Sequence, residues 1–221
     1  MPTSNKLEPI EKGVALVTKR WREFSCALII PVTIYLLVAN FSYLVSQNTL
    51  TLVLVTFLYQ LTFSIIAVTT HRMVILGPES VHKWGINTIG WREIKFLLSQ
   101  YVIFIFLIPL AILFYIPIAG PLAAIIIGAY MFGRMSLVFP SIAIGKKFDF
   151  KDSWDATKAH QLMMFLAVAV FPFLLGIINT MLIQIPGIIY LLQILSVITS
   201  IWVVAALSFA YQIVMEEGNA C

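Results

Sequence analysis

Residues 96–118 read FLLSQYVIFIFLIPLAILFYIPI, without a single Asp, Glu, Lys or Arg. A helix of that length reaches about 35 Å, enough to cross the roughly 30 Å hydrocarbon core of a bilayer. Lipid offers no water to an open backbone, so such a stretch has to be helical. Five more runs of this kind cover residues 24–46, 50–70, 122–144, 161–183 and 188–215, and Arg134 is the one charged side chain within the six. The sequence therefore predicts an all-α polytopic membrane protein of six transmembrane helices. Its segments are an N-terminal piece 1–23, a membrane domain 24–215 and a short tail 216–221.

Between the runs, polar residues fall into two unequal sets. Gln47-Asn48-Thr49, Ala119-Gly120-Pro121 and Gln184-Ile185-Pro186-Gly187 are short, rich in helix breakers and free of charge, as expected of turns closing three helical hairpins. The other zones, 1–23, 71–95 and 145–160, hold 13 of the 14 Lys and Arg residues. Positive charge stays on the cytoplasmic side of a bacterial inner membrane, which puts these zones and both termini in the cytoplasm. Lys19, Arg20 and Arg22 precede the first run as in a signal sequence. The run is too long for an h-region and lacks a small-residue cleavage site, so it is expected to stay as an anchor.

Composition agrees. Hydrophobic residues are 61% of the 221, charged residues 11%, and the mean hydropathy is +0.98. Soluble domains carry roughly 45–50% and 25%, so no separate soluble domain is expected. The formal charge of +4 follows the membrane surface rather than forming a nucleic-acid-binding face. Cys26 and Cys221 share no disulfide or metal spacing and are expected as reduced thiols.

The basic zones carry further structure. Ile10, Val14, Val17 and Trp21 recur at helical spacing opposite Lys12, Lys19 and Arg20, predicting an amphipathic helix in the headgroup layer. Asp149 and Asp152 suit the N-terminus of a second helix over 149–160. Trp21, Trp84, Trp91 and Trp154 fall in these zones and are expected as interfacial anchors. Trp21-Arg22-Glu23 recurs as Trp91-Arg92-Glu93, and Trp91 precedes Pro109 by the same interval as Trp154 precedes Pro172, which suggests three copies of an interfacial segment plus hairpin.

Candidate chemistry is sparse. Arg134 would lie roughly 15 Å inside helix 4, a position costing about 2.5–3.5 kcal/mol on insertion scales. Its compensation is expected from carbonyls freed by Pro140, from Glu93 or Asp155 dipping inward, or from a lipid phosphate. Together with Lys19, Arg20, Arg22, Arg72, Lys146 and Lys147 it forms the candidate set for contact with lipid or another anion. Lys83, Arg92, Lys95 and Lys151 complete the basic rim. Proline interrupts several runs, a transporter feature as well as a common packing irregularity. Yet His71, His82, His160 and all ten carboxylates fall at the basic edge, which argues against ion-coupled transport. Asn40, Gln60, Asn179 and Gln193 are expected to bond between helices. No metalloprotease, nucleophile-elbow or phosphate-loop motif is present. Ser136 or Ser141 with His160 shows no catalytic spacing, and no cofactor or metal is expected.

The stretches THRMVILG from Thr70, GWREIKFL from Gly90 and GRMSLVFPSIAIGKKFDFKDSWDATKAH from Gly133 to His160 resemble a group of uncharacterised six-helix bacterial inner-membrane proteins. These are similar in turn to the membrane domain that precedes the catalytic part of some glycerophosphodiester phosphodiesterases. The resemblance implies a six-helix fold and proximity to lipid metabolism. It implies no hydrolysis, because the enzymatic half has no counterpart in these stretches. The expectation is a non-catalytic accessory or scaffold subunit with a membrane protein partner. The alternative is binding or transport of lipid or another hydrophobic anionic molecule.

The orientation has a direct test. A cysteine placed at Asn48 is expected to react with a membrane-impermeant thiol reagent added outside intact cells, whereas Cys221 is not. Labelling of Cys221 alone would invert the topology.

Overall fold

A computed structural model describes residues 5–44, 49–85, 90–182 and 188–219. Among them every regular element is helical. α1 (Glu8–Lys19) leads into α2 (Trp21–Leu44) and α3 (Thr49–Ile75). α4 (Trp91–Leu107) tightens into a 3-10 helix, Ile108–Tyr115, before α5 (Ala119–Met135) and the short α6 (Val138–Ala143). The fifth crossing is built from α7 (Phe150–Ala156), α8 (Gln161–Phe165) and α9 (Phe171–Leu182), joined by a 3-10 turn and a π turn at Leu166–Val170. α10 (Ile189–Asn219) completes the bundle. Among the described residues, six segments are long and apolar enough to cross a membrane. The loop residues Gln47, Asn48 and 184–187, and Cys221, lie outside the described residues.

Proline explains the irregular helices. Pro109 and Pro140 cannot donate to the carbonyls four residues back. In each case the preceding residue takes over at shorter range: the Ile108 N–H bonds the Ile105 carbonyl, and the Phe139 N–H bonds the Ser136 carbonyl at 3.1 Å. The first exchange begins the 3-10 stretch and the second separates α5 from α6. Pro172 follows the π turn, whose wider pitch absorbs the donor it lacks.

Boundaries shift where side chains find partners. The second span was expected over 50–70 but continues to Ile75, with Thr70 Oγ1 donating to the Ile66 carbonyl at 2.8 Å. His71, expected at the polar edge, is 1% exposed and shares a 2.7 Å hydrogen bond with Ser208 Oγ of α10. α4 begins at Trp91 rather than 96, because Glu93 reaches back to the Gly90 N–H at 2.8 Å. The turn expected at Ala119-Gly120-Pro121 falls three residues earlier. Ile118 reverses the chain at φ 61°, and Pro121 sits in the first turn of α5. The expected acidic cap of α7 is present: Asp149 and Asp152 bond each other's backbone N–H at 2.8 and 3.0 Å.

Packing is uneven along the bundle axis. Around the basic end, Ala67, Val68, Phe96, Leu137, Phe139, Met164, Leu207 and Tyr211 form a closed core. A second cluster joins Val17, Phe24, Leu28, Ile66, Met73, Val197 and Ile201. Toward the far end the helices part, and neither the 3-10 stretch Ile108–Tyr115 nor α9 buries a single residue.

α1 departs most from expectation. The predicted helix exists, but its inner face is Pro9, Gly13 and Val17, and that face lies against α10 rather than lipid. Gly13 permits the approach, since a Cβ there would come within 2.6 Å of the Ala206 backbone nitrogen. On the outer face Lys12 meets Glu8 at 2.7 Å, and this hydrogen bond raises the lysine's pKa above its usual value. Both side chains are solvated, so the pair adds little.

Gly13→Leu is expected to destabilise the protein by about 1–3 kcal/mol through overpacking, and to open Lys12 and Lys19 to trypsin. Gly218→Ala has open space around its new Cβ and should leave both the unfolding midpoint and the digestion pattern unchanged.

Candidate functional site

The polar centre of the molecule is Arg134. It occupies the last turn of α5, just before the Pro140 interruption, and is 3% exposed. The chain from α6 folds back so that α7 lies against it. Nε donates to Thr157 Oγ1 at 2.7 Å, one terminal nitrogen donates to the Tyr130 hydroxyl at 3.0 Å, and the other donates to the Trp154 carbonyl. That carbonyl belongs to the C-terminal turn of α7, where helix acceptors lack an internal donor. The contact is reciprocated, with Ser153 Oγ donating to the Arg134 carbonyl at 2.7 Å. The Trp154 ring lies 4.4 Å from the guanidinium carbon and the Tyr130 ring 5.8 Å, so two aromatic faces add cation–π attraction where water is excluded.

This geometry revises the expected compensation. The donors go to a carbonyl of α7 rather than one freed by Pro140, and to two hydroxyls. The nominated acids are occupied elsewhere: Glu93 caps α4 at Gly90, and Asp155 pairs with Lys158 at 2.8 Å. With all three guanidinium nitrogens engaged and the side chain buried, Arg134 faces protein rather than lipid. Trp154 likewise covers Arg134, whereas Trp21, Trp84 and Trp91 are 56–63% exposed as anchors would be.

The remaining basic candidates separate into groups. Arg72 turns inward, donating from Nε and a terminal nitrogen to the Ser80 carbonyl at 3.2 and 2.8 Å, and toward the Ala143 carbonyl at 3.3 Å. It ties α3 to α6 and to the following loop. Lys146 and Lys147 are exposed beyond α6. Lys19, Arg20 and Arg22 gather at the α1–α2 junction: Lys19 is exposed, Arg20 lies 3.9 Å from Glu23, and Arg22 stands 5.5 Å from the Trp21 ring.

Other polar candidates are tied into the scaffold. Ser136 and Ser141 donate to the Gly133 and Val138 carbonyls at 2.9 and 2.7 Å, while His160 faces Glu217 at 3.5 Å. The structure does not bring these together as a triad. Among the described residues, no three His, Cys, Asp or Glu side chains gather as metal ligands. Asn40 and Gln193 bond across α2 and α10 at 3.0 Å as expected, but Asn179 Oδ1 is buried without a partner. Nearby, the Tyr35 and Tyr59 hydroxyls bond to each other in a pocket of about 340 Å³.

A larger feature is invisible in the sequence. Between the α1–α2 junction and α10 runs an apolar groove of about 540 Å³, lined by Trp21, Leu28, Ile29, Val32, Ile198 and Trp202 among others. Trp202 lies within an apolar run and carries no signal of its own. α2 and α10 form its walls, and the docking of α1 on α10 adds Val17 and Thr18 at its end.

Among the described residues, six apolar segments of bilayer length define a multi-pass helical membrane protein. Comparison with protein-family models, characterised proteins and solved structures returns no match.

The role of Arg134 has a discriminating test. Arg134→Leu removes one charged donor each from the Trp154 carbonyl and the Thr157 and Tyr130 hydroxyls, which keep their other hydrogen bonds, at about 1.5–3 kcal/mol for each charged bond lost. The expected result is a lower unfolding midpoint with the amount of co-purified anionic lipid unchanged. Lost lipid with unchanged stability would restore the lipid-contact role.

Proposed function

We propose that this chain is a non-catalytic accessory or scaffold subunit of a larger assembly in the bacterial inner membrane. Its basic end and both termini face the cytoplasm. The observation that carries the proposal is the outer face of α9. Phe173, Gly176 and Thr180 are exposed there, and the space beside Gly176 is open. Gly176 and Thr180 are four residues apart, the small-xxx-small spacing that lets a second helix approach the backbone closely in lipid. With Ile177 and Met181 they border a notch of about 580 Å³. The basic end has a closed core, whereas among the described residues no helix lies upon this face.

Binding or transport of lipid or another hydrophobic anionic molecule is the second reading. The α1–α2/α10 groove favours it, as does the proximity to lipid metabolism implied by the resemblance to the phosphodiesterase membrane domain.

Intact-complex mass spectrometry after gentle solubilisation from the native membrane is expected to show a stoichiometric membrane protein partner. Gly176→Leu should remove that partner without changing the stability of the isolated chain. A chain that emerges alone under all mild conditions would overturn the subunit proposal.

A further inference from the structure

We infer that the groove between α1–α2 and α10 is a binding site for one anionic phospholipid of the leaflet on the basic side, with the headgroup at Lys19, Arg20 and Arg22. The inference rests on the second functional reading and gives it a location different from Arg134.

Length is the first argument. The α2 wall runs from Trp21 to Thr33, and twelve helical steps cover about 18 Å. One leaflet contributes about 15 Å of the hydrocarbon core, so the wall suits an acyl chain extending from the interface toward the midplane. The lining agrees. Val17, Phe24, Leu28, Ile29 and Val32 face Ile194, Val197, Ile198 and Ile201. Leu28 is 2% exposed and Phe24 4%, making a closed floor, whereas Ile29 is 49% exposed and Ile198 39%, making open lips. A slot with a closed floor and open lips admits a chain sideways from the bilayer.

Charge selects the headgroup. At the end marked by the lining residues Thr18 and Trp21, Lys19, Arg20 and Arg22 are their neighbours in the chain. Arg22 stands 5.5 Å from the Trp21 ring, whose exposed indole suits the headgroup level. The 3-10 turn Lys83–Gly85 packs against α2 and brings Lys83 to the same helix. Within residues 18–23 Glu23 is the one acid, and it lies 3.9 Å from Arg20. Cations therefore outnumber acids here, which favours a phosphate bearing no compensating cation over a zwitterionic headgroup.

α1 completes the site. Val17 and Thr18 belong to the groove only because Gly13 seats α1 against Ala205 and Ala206. The N-terminal helix thus forms the top of the slot, and a bound lipid would bridge α1, α2 and α10.

The test uses full-length protein reconstituted into nanodiscs of equal phosphatidylglycerol and phosphatidylcholine, then released into mild detergent for native mass spectrometry. The wild type is expected to retain one phosphatidylglycerol in preference to phosphatidylcholine. Lys19→Gln/Arg20→Gln/Arg22→Gln should reduce retention at least about 10-fold, consistent with the summed attraction of three surface cations. Ile29→Trp/Ile198→Trp, which fills the lips at two partly exposed positions, should do the same with the charges intact. Ile125→Trp, on an exposed face of α5, should retain lipid as the wild type does, and unfolding midpoints establish that each variant is folded. Retention lost in the charge variant but kept in the groove variant would overturn the groove while leaving the lipid reading in place. Equal retention of the two lipids, or none, would overturn both.

Discussion

A guanidinium removed from water must be met by acceptors from the protein, and the basic end of this molecule is organised around meeting that requirement for Arg134. The side chain is held by three acceptors and two aromatic faces, all five contacts coming from residues 130, 154 and 157. Because Trp154 and Thr157 lie in the segment after α6, the arginine draws that polar segment into the bundle. α7 is thereby fixed against α5, and Phe148 and Phe150 pack on the core that α10 completes. The arginine that appears misplaced within an apolar run is the bolt between the fourth and fifth crossings.

The same requirement accounts for smaller features. Hydroxyls on the helices return to their own carbonyls, as Thr33, Thr62, Ser64 and Ser208 do. His71 finds Ser208, and Asn40 finds Gln193. Most interior polar groups are thus spent on structure, Asn179 Oδ1 and the Tyr211 hydroxyl excepted, and the exposed charges concentrate at the basic rim. The resulting body is closely packed where charge is dense and open where it is absent. Such a division suits a component that is anchored at one surface and completed by lipid or by another helix elsewhere.

The likeness among the three Trp-containing segments is instructive in its failure to extend into three dimensions. Trp21 and Trp91 both begin a long helix and remain exposed, whereas Trp154 lies inside a short helix, half-buried over Arg134. Pro109 and Pro172 occupy equivalent intervals, yet one lies in the first turn of a 3-10 tightening and the other follows a π widening. Similar local sequence was put to different structural use because the neighbouring helices differ.

The number of crossings, their approximate bounds and the cap of α7 were legible in the residues themselves. These depend on hydrophobic run length and on contacts between residues three apart, both of which are local. The sequence alone also identified Arg134 as the position demanding compensation. It did not reveal that Trp154, Thr157 and Tyr130 supply it, because a polar loop folding back on a helix break leaves no periodic trace. Nor did it reveal the seam of Pro9, Gly13 and Val17 on Ala205 and Ala206, since small residues form a contact by what they lack. The groove beside Trp202 belongs to the same class. Lipid-facing and helix-facing surfaces are both apolar, so composition cannot separate them, and only the tertiary structure decides which of them meets a neighbour.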